Sequence, residues 1–260
     1  TARGWDDLSD MIKLYELHGM TVDEGLIGQY LQDKEIAEDF AIYYDLFNKY
    51  KADYRVDAIL AGNAPEEIRL RAENAPFDER LSLIGLLLDS VSGEVRAVME
   101  TEDMITELLA LLKEVKAGKP LAEQIDIVKT RMEREERCGT LSIDHRTRYE
   151  RILAFLRKYQ RENAEFSVIK AAFDSEVAAM RAAAATAGEH MEQMFRFAES
   201  AWQEGQELLI LVTELTVSHY AARFIARYGC DAYYRHNESL MFYQRRTEIV
   251  KQIGQLEMDV

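Results

Sequence analysis

Apolar and polar positions at the start of the chain alternate with the period of an α-helix. Trp5, Leu8, Ile12 and Tyr15 recur at spacings of three, four and three residues, which places them on one face of a helix. Gly19 follows at a suitable distance to end that helix, because glycine tolerates the left-handed conformation of a helix terminus. The pattern therefore predicts a first helix that packs through one apolar stripe.

Start signals for two more helices follow within the first fifty residues. The segment Thr21-Val-Asp-Glu24 fits a capping box, in which a hydroxyl and a glutamate satisfy each other's backbone amides. Asp33 fits the N-cap of a third helix, with Ile36 and Phe40 among its inward positions. The sequence thus predicts a three-helix unit over residues 1–50.

Charged residues and prolines mark the boundaries that come next. The polar segment 49–54 predicts a joint between the first unit and the rest of the chain. Pro65 and Pro76 each suit the first turn of a helix, where the missing N–H of proline costs nothing. Two helices are expected over 77–99 and 101–117, with a break near Glu100 and Thr101.

The clearest stop-and-start signal is Gly118-Lys119-Pro120, and the longest apolar series of the chain follows it. That series alternates spacings of three and four over three heptads, as in the seam of a coiled coil. Its members are Val177, Met180, Ala184, Ala187, Met191, Met194, Ala198 and Ala201. The small alanines would let a neighbouring helix approach closely, either in a compact bundle or in a projecting hairpin.

The fold class predicted from these patterns is all-α. The unit over 1–50 would precede a helical extension over 54–260, built as a long-helix antiparallel bundle or a coiled-coil hairpin, with the long helices in about 120–205. The chain has three prolines and thirteen glycines, too few for the many turns that a sheet of short strands requires.

Charge and composition restrict the class of partner. A formal net charge of −15 repels polyanions, so neither nucleic acid nor a membrane is an expected partner. The longest apolar run, 208–212, is far shorter than the roughly 18 residues that span a bilayer. Cys138 and Cys230 lie far apart without a paired motif, which favours reduced thiols and a cytoplasmic protein.

A search for catalytic and metal-binding motifs gives no complete site. None of the five histidines follows an acidic residue by three positions, and no zinc-binding histidine pair, nucleophile elbow or phosphate-binding loop occurs. We therefore expect no catalytic residue, no metal ligand and no cofactor held by this chain alone. An enzyme site that Glu and His residues form on facing helices stays open as a third interpretation.

The densest aromatic cluster lies near the end of the chain, between Tyr228 and Asn237. Its residues Tyr233, Tyr234, Arg235 and His236 are candidates for binding a partner protein. The competing interpretation is core packing, with the tyrosine hydroxyls at the rim.

The opening residues Thr1-Ala-Arg3-Gly-Trp5-Asp-Asp-Leu8-Ser9 resemble the sensor 2 helix of AAA+ ATPases, particularly the MoxR-type group. The resemblance covers the first 20 residues most closely and extends over the first 50. It implies that residues 1–50 form part of the helical lid. It also implies that Arg3 is the sensor 2 arginine, which reaches the γ-phosphate of a nucleotide held by a preceding α/β domain.

The function that this resemblance implies is that of the C-terminal helical region of a chaperone-like remodelling ATPase. ATP and magnesium would then belong to the parent protein. The extension would dock a protein partner or substrate, with a von Willebrand factor A domain protein as one candidate, and would contribute to homo-oligomer assembly. The alternative is a stand-alone helical scaffold that binds proteins through the 177–201 seam or through the aromatic cluster at 228–237, which we call the aromatic tail.

Overall fold

The computed structural model describes residues 2–203 and 205–238, and within these ranges the chain contains twelve α-helices and no β-strand. The all-α prediction is confirmed. The helices are α1 (Ala2–Leu17), α2 (Glu24–Tyr30), α3 (Lys34–Tyr54), α4 (Val56–Leu60), α5 (Glu66–Asn74), α6 (Phe77–Lys116), α7 (Leu121–Arg137), α8 (Ile143–Arg161), α9 (Phe166–Trp202), α10 (Gln206–Val217), α11 (His219–Tyr228) and α12 (231–238).

Side-chain hydrogen bonds to backbone amides cap the first turns of α2, α3, α8 and α11. Asp33 caps α3 as predicted, because its Oδ1 accepts from the amides of Glu35 and Ile36 at 3.1 and 3.3 Å. The predicted capping box at Thr21 is wrong. Asp23, in extended conformation, caps α2 instead, and its Oδ1 accepts from the amide of Leu26 at 2.9 Å. An aspartate directly before the first helical residue thus takes the capping role.

The first three helices enclose a small core of their own. Its buried residues are Leu8, Val22, Leu26, Ile27, Leu31 and Ala37. The segment 49–54, predicted to be a joint, forms instead the last turns of α3. The chain turns one residue later, at Arg55, whose φ of +48° is left-handed. Because α3 is continuous, it links this small core directly to the rest of the protein.

Two long antiparallel helices, α6 and α9, organise the remaining chain. Glu94 in the middle of α6 contacts His190 of α9, while the end of α6 shares a core with the beginning of α9 through residues such as Leu108 and Ile169. The first half of α6 and the second half of α9 form the main core together with the end of α3, with α4, α5, α10 and α11, and with the start of α12. The second half of α6 and the first half of α9 form another core with the hairpin of α7 and α8.

The predicted break at Glu100 and Thr101 is wrong, because α6 runs through 40 residues without interruption. Its polar middle is matched by charged residues from other helices. Arg148 of α8 and Arg223 of α11 both donate to Asp103, at 3.1 and 2.7 Å. The bond from Arg223, with the neighbouring positive charges, holds the pKa of Asp103 below its ordinary value.

Among the described helices, none is by itself long and apolar enough to cross a membrane. The consecutive helices α10 and α11 pass that test only as a pair, across a bend of 92°.

Candidate functional site

Arg3, the sensor 2 candidate, lies in the first turn of α1 and points into solvent. Its side chain is 92% exposed, and its Nε lies 3.9 Å from Oδ2 of Asp7, one turn further along. An exposed ion pair of this length holds a flexible side chain only weakly. The guanidinium can therefore leave Asp7 for a stronger acceptor such as a phosphate, to which arginine donates two parallel hydrogen bonds.

The helix that carries Arg3 is fixed to α3 by aromatic and polar contacts. The ring of Trp5 meets that of Phe40 edge to face at 5.2 Å, and Leu8 is buried beneath it. At the other end of α1, the hydroxyl of Tyr44 donates to Glu16 at 2.8 Å. Displacement of α1 would thus move α3 as well.

The far end of α3 is anchored in the main core. Tyr54 is fully buried, and its hydroxyl donates to Oε1 of Glu79 on α6 at 2.7 Å. Arg71 of α5 lies over the Tyr54 ring at 4.8 Å and pairs with both Asp53 and Glu79. Burial, with the bond to Glu79, raises the pKa of Tyr54, so the phenol stays a donor. The α3 helix therefore has fixed contacts both in the small core of the first three helices and in the main core.

The 177–201 seam does not form an exposed docking surface. Six of its eight residues are buried in the main core, and Val177 and Met180 are partly buried. Its four alanines are buried in the core that α9 shares with α6. The exposed apolar seam that the scaffold alternative requires is absent from these residues.

The aromatic tail is divided between the core and the surface. Tyr233 is buried and its hydroxyl bonds that of Thr216 at 2.9 Å. His236 stacks on Phe195 and bonds Glu199 at 2.7 Å. These two predicted partner-binding residues thus attach α12 to the body of the protein.

Tyr234 and Arg235 remain at the surface. They line a shallow depression that also includes Glu192 and Arg196. The Tyr234 hydroxyl donates to the carbonyl of Ile225, and Arg235 lies 3.5 Å from Glu199. A role in partner binding stays a prediction for these two residues.

Three histidines each bond one glutamate on a different pair of helices. The pairs are His145 with Glu135 at 3.1 Å, His190 with Glu94 at 2.8 Å and His236 with Glu199 at 2.7 Å. The glutamates lie 10, 96 and 37 residues away in sequence, so sequence spacing could not reveal them. The enzyme interpretation requires two histidines in one pocket, and no described cavity contains two.

In the described ranges, no three His, Cys, Asp or Glu side chains are grouped so that they could hold a metal ion. Toward the ATP of the implied parent protein, Arg3 offers an exposed guanidinium, whose donors match the geometry of a phosphate.

An unpredicted feature is a groove between α3 and the segment that leads into α2. The cavity has a volume of about 410 Å³. Its apolar residues are Val22, Ala41 and Ile42, and its rim carries four carboxylates. The rim residues are Asp23, Glu24, Glu38 and Asp45. We call it the acidic groove.

In comparisons with protein families, curated proteins and solved structures, this chain matches none.

Proposed function

We propose that this chain is the C-terminal helical region of a MoxR-type AAA+ ATPase that remodels other proteins in the cytoplasm. The observation that carries the proposal is the placement of Arg3. Its guanidinium projects from the first turn of a helix that belongs to a small unit with its own core. An arginine presented in this way suits the sensing of a phosphate held by another domain.

The continuous α3 helix supplies a route by which phosphate sensing could affect the extension. When a γ-phosphate binds Arg3, α1 would be pulled toward the nucleotide, and its contacts with Phe40 and Tyr44 would carry α3 along. Because Tyr54 at the other end of α3 is fixed in the main core, the extension would move as a rigid body. ATP hydrolysis in the preceding domain would supply the free energy for this movement.

The extension then serves to dock a partner or substrate and to assist assembly, with a von Willebrand factor A domain protein as the candidate partner. The scaffold alternative is less well supported, because the 177–201 seam and half of the aromatic tail are used inside the protein.

The first test is the parent reading frame, which should encode a phosphate-loop domain directly before Thr1. In the whole protein, Arg3→Ala should then lower kcat/KM for ATP about tenfold to a hundredfold, the range for a hydrogen bond to a charged group. Lys13→Ala, on the same helix, is the matched control and should leave kcat/KM unchanged. A reading frame without that domain, or equal effects of the two substitutions, would refute the proposal.

A further inference from the structure

We propose that the acidic groove binds a segment of a partner protein in which Lys or Arg side chains flank an apolar side chain. This inference goes beyond nucleotide sensing. It depends on the groove alone and holds whether or not Arg3 contacts a phosphate.

The shape of the groove follows from the periodicity of α3. Glu38, Ala41, Ile42 and Asp45 have spacings of three, one and three residues, so they lie on one face of the helix. Val22, which is buried, forms the floor together with the small side chain of Ala41. The floor is therefore apolar and leaves room for a side chain from outside.

Ile42 provides an unfilled apolar contact beside this floor. Its side chain is 60% exposed, although α3 already buries another face against α1 and α2. Tyr43 and Leu46, which follow along the helix, are 55% and 42% exposed. Contiguous exposed apolar side chains of this kind, rimmed by polar residues, mark surfaces that bind other proteins.

The rim carboxylates lack cationic partners. Within the described part of the chain, the carboxylates of Glu24, Glu38 and Asp45 make no hydrogen bond or ion pair, and that of Asp23 accepts only from the amide of Leu26. On α6, by contrast, arginines pair with Glu100, Glu102, Asp103 and Glu107. Asp103, for example, pairs with two of them. Four carboxylates without cations create a negative potential that favours a cationic ligand.

Charge also selects among the occupants of the groove. The groove of a second copy carries the same four carboxylates, so two grooves would repel each other. A phosphate-rich ligand would be repelled by the rim. A basic and apolar peptide segment satisfies both the carboxylates and Ile42, so it is the occupant that fits.

The test uses the full chain and a fluorescein-labelled amphipathic peptide of leucine and lysine, with fluorescence anisotropy as the readout. Glu38→Gln/Asp45→Asn should weaken binding about fivefold, as expected for two partly exposed ion pairs. Binding should also weaken between about 0.05 M and about 0.3 M salt. A peptide with glutamate in place of each lysine should not bind.

The matched control is Glu150→Gln/Glu214→Gln, which removes two exposed carboxylates elsewhere and so changes the net charge by the same amount. Ile42→Ser should weaken binding about tenfold, because it removes an apolar contact that becomes buried when the peptide binds. Its control is Ile143→Ser, at a side chain on α8 that is 82% exposed, and this variant should bind the peptide as the unchanged protein does. Circular dichroism of each variant checks that it folds.

Two results would overturn this inference. If the two carboxylate double variants weaken binding equally, the peptide responds only to overall charge. If sedimentation shows that the chain dimerises and that Ile42→Ser dissociates the dimer, the groove is a self-association surface. Neither result bears on Arg3, so failure here is distinguishable from failure of the ATPase proposal.

Discussion

Replacement of Arg80 by Met should destabilise the protein more than replacement of its partner Glu207 by Gln. Arg80 lies at the start of α6, and its Nη1 donates to Glu207 at 3.0 Å. Its other nitrogens donate to the carbonyls of Ala75 and Glu73 at 2.7 and 3.0 Å. One guanidinium thus joins the end of α5, the start of α6 and the start of α10.

The two members of this ion pair differ in their access to water. The Glu207 side chain is 6% exposed, whereas that of Arg80 is 29% exposed. Arg80→Met leaves a buried carboxylate without a cation, which costs about 3–5 kcal/mol. Glu207→Gln keeps an acceptor for Arg80, whose charge can still reach water, and should cost about 1 kcal/mol.

Urea unfolding followed by circular dichroism measures both values, with Arg157→Met as the control. Arg157 is exposed and forms no ion pair in the described structure, so its replacement should change the unfolding free energy by less than about 0.5 kcal/mol. Costs for Arg80→Met and Glu207→Gln that agree within about 0.5 kcal/mol would show that the reasoning about the buried carboxylate is wrong.

Three further predictions concern burial. Leu108→Ala should lower the free energy of unfolding, measured in urea, by about 3 kcal/mol, because Leu108 is fully buried. The control, Leu109→Ala, changes a neighbour that is 40% exposed and should lower it by less than about 1 kcal/mol. A thiol reagent should label the exposed Cys138 quickly and Cys230 only after unfolding, since burial protects Cys230 and raises its pKa to about 12; rapid labelling of both thiols would contradict this. Burial raises the pKa of Tyr149 from 10.0 to about 12, so the neutral phenol adds stability below pH 10 that is lost as the pH rises to 12. Urea unfolding across that range should show a smaller decline for Tyr149→Phe.

Signals within a few residues allowed much of the fold to be predicted. Pro65, Pro76 and Pro120 each directly precede a helix, and Gly118 takes a positive φ of 99° at the turn before α7. Asp33 caps α3 because a side chain and the amides it accepts from are neighbours in the sequence. Such features depend on local geometry alone.

Apart from the capping box at Thr21, the errors came from interactions between distant residues. The polar stretch near Glu100 resembles a helix end until Asp103 is seen to bond Arg223, 120 residues away. The seam at 177–201 showed that α9 packs against another helix, but not that the partner is α6 of the same chain. The acidic groove was missed for the same reason, because Val22 and Ile42 come together only through the packing of α2 on α3.

The sharing of α6 and α9 between two cores has a consequence for how the molecule opens. Met180 on α9 contacts both cores, and neither long helix is interrupted between them. To open one core alone would unwind half of each long helix and expose Met180, so the other core would lose contacts as well. The two halves should therefore exchange their amide protons and melt as a single foldon, so that damage in either half lowers the protection of both.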